Sequence, residues 1–413
     1  MCWKALSLCG RERFEVGRTT SAPGCRAMVA SPVPLLARTV RGIEWISAAE
    51  LTIGHSASRL ELGHRFVEFS APLQPSLLRA GSVDDIFLLA ARFEGVDHRR
   101  SALSELTEQA AAVDMAPVLE RLAWVRPPAA DRRFEVVASF LGRRNYTRFD
   151  IERAVGTGLE FASTGRFVPG PIRGGEHPSL SWRVHLFDKS GFLGLRLAAA
   201  PLHRRAYRTR SVEGSLHPPL ARAAVLLAGL EAGDLVLDPC CGAGTLPLEA
   251  SLQQPAARLI GSDLELDAVR IARANAAGAP ELWWLVADAA LLPLPDGCVE
   301  TALTNPPWRR QVDLLGLLTD GLDPLWRELA RVGCASGRIV VLLQELATEI
   351  PGIRAAGLRP VVWQPVSVSG AWTILALLVH EDRVNEELGR LAARGFAPPP
   401  TALFDEAREA LHP

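Results

Sequence analysis

Lysine is almost missing from the 413 residues: Lys4 and Lys189 are the only two, against 45 basic residues in all. Nearly all positive charge is therefore arginine, and a phosphate loop of the Gly-Lys-Ser/Thr kind is excluded near the glycine-rich stretch described below. Acidic residues number 46, so the formal net charge is −1. A chain that binds nucleic acid through its overall charge is thereby excluded, and any such contact falls to local arginine clusters. No apolar run reaches the length needed to span a bilayer, so neither a transmembrane helix nor a membrane partner is expected. Cysteine is sparse and odd in number, at Cys2, Cys9, Cys25, Cys240, Cys241, Cys298 and Cys334, with no Cys-x-x-Cys pair. That argues against a zinc knuckle and a disulfide framework, and points to a reducing cytoplasm.

What is there centres on Leu235-Val-Leu-Asp-Pro-Cys-Cys-Gly-Ala-Gly-Thr-Leu-Pro-Leu-Glu-Ala250. Leu235–Leu237 is an apolar β-type run, Asp238–Gly244 is small and turn-forming, and Thr245 opens a helix that tolerates Pro247 in its first turn. Strand, glycine turn and helix make the first unit of a doubly wound α/β sheet, whose ligands sit beyond the carboxyl ends of the strands. A dinucleotide site would need a third glycine where this chain has Pro247. What remains is Asp-x-x-x-Gly-x-Gly, the shape of a site for S-adenosylmethionine; a turn with no ligand is the alternative.

A second stretch adds chemistry. Val299–Thr304 reads as a strand that runs into Asn305-Pro-Pro-Trp308, where two prolines end the ladder and leave its last carbonyls free. That arrangement suits an exocyclic amine on a flat base. The Asn305 side-chain oxygen and the Pro306 carbonyl can accept the two amine hydrogens, and Trp308 can stack on the ring. A proline turn with a packed tryptophan is the other reading.

The totals give room for two or three domains. Residues 1–33 show no clear period, and are expected to be a disordered or spurious extension, with Met28 just before the first ordered segment. A strand and helix entry over Leu36–Glu50, strand-like pieces near Leu60–Phe69 and Ile86–Phe93, and a helix over Ser101–Val113 suggest an α+β module at 34–126, bounded by Pro127-Pro128. Phe134–Leu141 is a strand, Gly142–Arg148 a polar turn, Phe149–Phe161 a helix, and Ser181–Phe187 and Phe192–Leu197 are strands, giving a second module at 127–200. A basic linker at 201–216 leads to the sheet unit at 217–380, and a charged helical tail occupies 381–413. In that unit Arg258–Gly261 and Leu282–Val286 read as the second and third strands, with Asp263, Glu265 and Asp288 at their tips. Asp263 lies nineteen residues after Gly244 (263 − 244), near the spacing of a ribose-binding acid, with Glu265 as the fallback.

Asp238–Ala250 together with Thr304–Trp308 resembles the amino-methyltransferases of the Rossmann-like class. Within it, Ser139-Phe-Leu-Gly-Arg-Arg-Asn-Tyr146 followed by Asp150-Ile-Glu152 is similar to the THUMP-domain RNA guanine-methyltransferases. The likeness runs from about Ala37 to His380. It implies a Rossmann-like methyltransferase with a seven-stranded, mostly parallel sheet, preceded by α+β ferredoxin-like and THUMP modules. It implies S-adenosyl-L-methionine as cofactor, held by Asp238, Cys240, Gly242, Gly244, Thr245, Asp263, Glu265 and Asp288. Asn305, Pro306, Pro307 and Trp308 would be catalytic. Arg143, Arg144, Tyr146, Arg148, Arg205, Tyr207 and Arg208 would meet RNA, tRNA being the expected partner. The activity implied is methylation of the N2 amine of a guanosine by a monomer that needs no metal. Methylation of an adenine or cytosine amine in ribosomal RNA or DNA, and an inactive RNA-binding protein, stay as alternatives. Many relatives have glycine after the Asn-Pro-Pro-aromatic motif, where this chain carries Arg309-Arg310-Gln311.

Overall fold

The computed structural model describes residues 31–127, 132–163, 165–170, 180–278, 282–307, 314–368 and 370–402. The expectation for 1–33 therefore falls almost wholly outside the described residues, as do Pro128, Trp308, Arg309, Arg310 and Gln311.

Two sheets carry the fold. The first uses β1 (Val33–Thr39), β2 (Ser58–Gly63), β3 (Phe66–Ala71), β4 (Val83–Phe93), β5 (Arg133–Phe140), β6 (Arg166–Phe167), β7 (Leu180–Phe187) and β8 (Ser190–Arg196), in the order β2-β3-β1-β4-β8-β7-β5-β6. Helices α1 (Glu44–His55), α2 (Ala102–Ala111), α3 (Ala116–Ala123) and α4 (Arg148–Ala162) accompany it. Strand alternation sorts the side chains: Leu35, Ala37, Trp182 and Val184 join the core that also holds Leu106, Ile151 and Leu159 of the helices. Leu36, Phe87 and Phe192 point to the opposite face.

Three features differ from the sequence reading. Leu60–Phe69 is a hairpin and not one strand, turning at His64-Arg65 with Arg65 at φ 66°. Neither residue is a usual turn former, so the sequence carries no turn signal there. The helix α3 was also unforeseen. Third, β4 pairs antiparallel with β8, so the two expected modules share one sheet. Closed separately, each would present an open edge. Helix α4 follows the polar turn, and Thr147 and Asp150 form a capping box at its start, each side chain bonded to the other's backbone N–H.

The second sheet contains β9 (Leu235–Asp238), β10 (Arg258–Asp263), β11 (Leu282–Val286), β12 (Val299–Thr304), β13 (Gly333–Leu343), β14 (Leu358–Val368) and β15 (Ala371–His380). Their order is β11-β10-β9-β12-β13-β15-β14, parallel except for β15, which runs antiparallel to both its neighbours. Helices α5 (Pro218–Ala228), α6 (Thr245–Gln253), α7 (Leu266–Asn275), α8 (Asp323–Val332), α9 (Ile350–Ala355) and α10 (Val384–Ala393) complete the unit. The strand order reverses between β9 and β12, and that switch point opens a crevice at the carboxyl ends of the strands.

The linker is built into the structure. Glu249 on α6 is fully buried and accepts from Arg205 Nε at 2.6 Å, Arg222 Nε at 2.9 Å and Tyr207 Oη at 2.8 Å. Arg205 also donates to the Gly81 carbonyl of the first sheet's loop at 2.5 Å. Across the same junction His217 Nε2 lies 2.6 Å from Asp84 Oδ1 on β4. Arg208 donates to the Leu216 carbonyl at 2.9 Å. Arg205, Tyr207 and Arg208, expected at an RNA surface, are thus turned inward, because a buried carboxylate and orphan carbonyls need their donors.

Replacing Glu249 by alanine leaves two buried guanidinium groups without their shared acceptor and is expected to cost about 3–5 kcal/mol. Urea titration measures it; a loss below about 1 kcal/mol would show the cluster to be dispensable, like an exposed ion pair.

Candidate functional site

The residues of the glycine turn form the floor of a cleft of about 570 Å³ at the carboxyl end of the second sheet. Its size suits a small-molecule cofactor. Asp238 ends β9 and is buried, and its Oδ1 accepts the Cys240 N–H at 3.1 Å. Burial pushes the Asp238 carboxyl well above the usual carboxylate range, and the neighbouring Asp263 pushes it the same way. The thiols of Cys240 and Cys241 are also raised, first by burial and then by Asp238 and Asp263, so neither is a reactive thiolate.

Gly242 and Gly244 have φ of 52° and 81°, a region that side chains with a Cβ rarely adopt. A Cβ on Gly244 would stand 2.8 Å from the Trp284 ring. Asp263, the last residue of β10, holds this turn: its Oδ2 accepts the Gly242 N–H at 2.8 Å and its Oδ1 the Glu265 N–H at 3.0 Å. Asp288 does the same for the opposite wall, accepting from Ala290 N at 2.9 Å and from Leu317 N at 2.8 Å. Thr245, Glu265, Pro306 and Pro307 line the cleft as well.

Asn305 follows directly after β12 and lines the same cleft. Its Oδ1 is buried and, among the described residues, has no hydrogen-bond partner. A buried acceptor left unpaired costs stability unless a donor meets it.

Two parts of the wall escaped the sequence reading. Val212–Leu216, in the linker, lie across the cleft. They are fixed by Asn275 at the end of α7, whose Oδ1 accepts from Thr209 N and Arg210 N, and whose Nδ2 donates to the Arg210 and Ala243 carbonyls at 2.9 and 3.0 Å. In the sequence Asn275 reads only as a helix end. Leu315 and Leu318 form the other missed part, on a short turn that Asp288 anchors.

The expected RNA contacts in the first sheet divide. Tyr146 is 4% exposed and donates to the Asp97 carbonyl at 2.7 Å. Arg144 donates to the carbonyls of Val96, Asp97 and Asp188 and to Tyr146 Oη. Both close the loop instead of facing outward, because its carbonyls have no ladder partner. Arg143 and Arg148 are exposed, Arg148 lying 4.6 Å over the Phe149 ring. Among the described residues there is no group of three or more His, Cys, Asp or Glu placed to hold a metal ion.

Sheet order, switch point and glycine turn define a Rossmann-like methyltransferase fold. Residues 205–372 match the family model described as RMKL-like, methyltransferase domain. The chain is 36% identical over 177 residues to the tRNA (guanine(6)-N2)-methyltransferase of Thermus thermophilus, covering 42% of this chain and 51% of that protein. It is 32% identical over 172 residues to the U6 snRNA (guanine-N(2))-methyltransferase THUMPD2 of Bos taurus, covering 41% of this chain and 33% of that protein. These matches span about half or less of each relative. The crystal structure of TrmN from Thermus thermophilus superposes over 84% of this chain and 99% of that one, with a TM-score of 0.66 and 27% identity.

Gly244→Ala and Gly297→Ala test the crowding under the turn. Both positions have positive φ, but a Cβ at Gly297 meets nothing within 4 Å. Gly244→Ala is expected to lose at least about 1 kcal/mol more than Gly297→Ala; equal losses in chemical denaturation would remove the steric argument.

Proposed function

We propose that the protein is an S-adenosylmethionine-dependent RNA methyltransferase acting on the exocyclic N2 amine of a guanosine in tRNA. The observation that carries this is Asn305 Oδ1, without a partner among the described residues and buried just after β12 in a cleft floored by the glycine turn. The residues present fit the cofactor. Asp263 and Asp288 give the cleft a negative field suited to a cationic sulfonium and amino group. Asp263 has one bond on each oxygen and a free lone pair on each, so we assign the ribose hydroxyls to Asp263, with Glu265 beside it in the same lining. When bound, the cofactor supplies an activated methyl group.

The protein's own part is positioning and electrostatics. Asn305 Oδ1 and the Pro306 carbonyl accept the two hydrogens of the target amine, which aims its lone pair across the cleft. As positive charge grows on nitrogen these dipoles stabilise it more than the planar ground state. An amide oxygen is too weak a base to keep the proton, so that proton leaves to solvent after transfer. A guanine in a duplex cannot reach such a recess, so the target base is taken out of its stack. Arg143 and Arg148 are the retained candidates for phosphate contacts.

We assign 34–126 to a ferredoxin-like part, 127–200 to a THUMP module and 217–380 to the methyltransferase, in a monomer that needs no metal. Cys240, Cys241, Cys298 and Cys334 are free thiols, which suits a cytoplasmic location. Among the described residues no helix is long and apolar enough to cross a membrane.

Methyl transfer from labelled cofactor to tRNA, ribosomal RNA and small nuclear RNA, followed by nucleoside analysis, tests the substrate. N2-methylguanosine confined to tRNA is the expected result, and label in another RNA or nucleoside overturns the substrate assignment. Asn305→Ala is expected to keep cofactor affinity within about twofold while slowing single-turnover transfer by about 10²–10³. Equal loss of both would refute its role.

A further inference from the structure

The face of the first sheet opposite its helices holds a second recess, of about 140 Å³, lined by residues of β1, β3, β4, β5, β7 and β8. Arg38, Arg65 and Arg183 line it with His64 and His185, and no carboxylate does. Arg183 is largely enclosed, and its guanidinium donates to Ser139 Oγ at 3.2 Å. Among the described residues no carboxylate comes within ion-pairing distance of it. The nearby acids are already engaged: Asp85 with Arg196 at 2.6 Å, Glu135 with Arg196 at 3.7 Å, and Asp84 with His217 and Arg38. Burial, then the neighbouring Arg38 and Arg196, lower Arg183 to about 9. A buried cation with so few partners is costly unless an anion completes it.

The hydrogen-bond chain says which donors are free. Ser139 Oγ accepts from Arg183 and has its own hydroxyl hydrogen to give to His185 Nδ1, 2.8 Å away, in the tautomer that leaves Nδ1 unprotonated. The ring proton of neutral His185 then sits on Nε2, which is buried and has no partner among the described residues. Burial and the cationic neighbours hold that ring neutral, lowering it to about 4. Beside these donors, Phe66 and Phe192 meet edge to face at 5.2 Å and form an apolar wall.

We propose that this recess binds a phosphoryl group, with Arg183 and His185 Nε2–H as donors and Arg65 at its rim. The apolar wall beside the donors matches a nucleotide, whose sugar or base covers the rings while its phosphate meets the cations. Identifying an RNA strand as the source of the phosphate rests on the function proposed above; the anion site itself does not.

The test uses the full chain, Arg183→Gln and the exposed-rim variant Arg65→Ala. Three quantities are measured: affinity for a short single-stranded oligoribonucleotide, the shift in melting temperature on adding inorganic phosphate, and affinity for S-adenosylmethionine. Expected are a loss of about tenfold in RNA affinity for Arg183→Gln, a smaller loss for Arg65→Ala, and competition by inorganic phosphate. Unchanged RNA affinity with a phosphate-induced rise in melting temperature that Arg183→Gln abolishes would support the site but assign it to a small phosphate compound. Unchanged RNA affinity in both variants, with no phosphate-dependent difference in melting temperature from the parent, overturns the proposal. Should Arg183→Gln fail to fold, Arg65→Ala decides by the same criteria. Cofactor affinity separates the two readings: its absence in the parent would remove the methyltransferase assignment while leaving the anion site to stand or fall on the other two measurements.

Discussion

Carboxylates at the ends of three consecutive strands hold the loops from which the cleft is made. The backbone N–H groups of Cys240, Gly242, Glu265, Ala290 and Leu317 all donate to Asp238, Asp263 or Asp288. A loop leaving a strand would otherwise have only water for these donors, and would be free to move. A short acidic side chain at the strand tip replaces water with a charge-assisted bond and pulls the loop back over the sheet. The positive-φ glycines of the turn can then persist, since Asp263 fixes the Gly242 amide from a neighbouring strand. Asp263 and Asp288 also set the sign of the field in the cleft, so shape and electrostatics share an origin.

Arginine does the corresponding work elsewhere, which gives a chain almost without lysine a physical use for its bias. Its planar fork can satisfy several acceptors at once, where an ammonium offers a point charge. Arg205 bridges Glu249 and the Gly81 carbonyl. Arg390 on α10 and Arg394 just after it donate to the carbonyls of Leu226, Leu227, Ala228 and Gly229 at the end of α5. Those are the carbonyls that a helix cannot satisfy internally. The charged tail, in which the sequence shows no chemistry, thereby caps a helix wholly buried between other elements.

This explains what was legible in the sequence. The glycine turn, the strand running into Asn305-Pro-Pro and the acids at the strand tips were visible because Gly, Pro and period-2 apolar runs act locally. The partners of Arg144, Tyr146, Arg205 and Tyr207 were not legible, because a guanidinium or phenol in a polar segment looks the same whether it faces solvent or a distant acceptor. Tyr146 finds Asp97 and Tyr207 finds Glu249, pairings only the tertiary fold creates. Asn275 was silent for the same reason: its five partner atoms lie in the linker and the glycine turn. The hairpin at His64-Arg65 was hidden by side chains that are not turn formers. The recess around Arg183 could not be seen either, because it needs several strands in register before its residues meet.

The junction between the sheets follows from these bonds. Gly81 is tied by its carbonyl to Arg205, and by its amide to Glu50 at 2.9 Å. Arg205 reaches Glu249 on α6, and α6 begins at the glycine turn. Asp84, three residues after Gly81, meets His217 at the start of α5. Helix α1 adds an apolar contact, with Ile43, Trp45 and Ile46 in the same core as α5. A single-point link would leave the two sheets free to swing. Buried charge pairs and a shared core each resist a different displacement, so together they fix relative position as well as distance. Methyl transfer requires near-linear alignment of donor and acceptor, where an error of an ångström is costly. For the transfer proposed above, a substrate held at the first sheet would be aligned at the second through this junction, where the buried Glu249 accepts from Arg205, Tyr207 and Arg222.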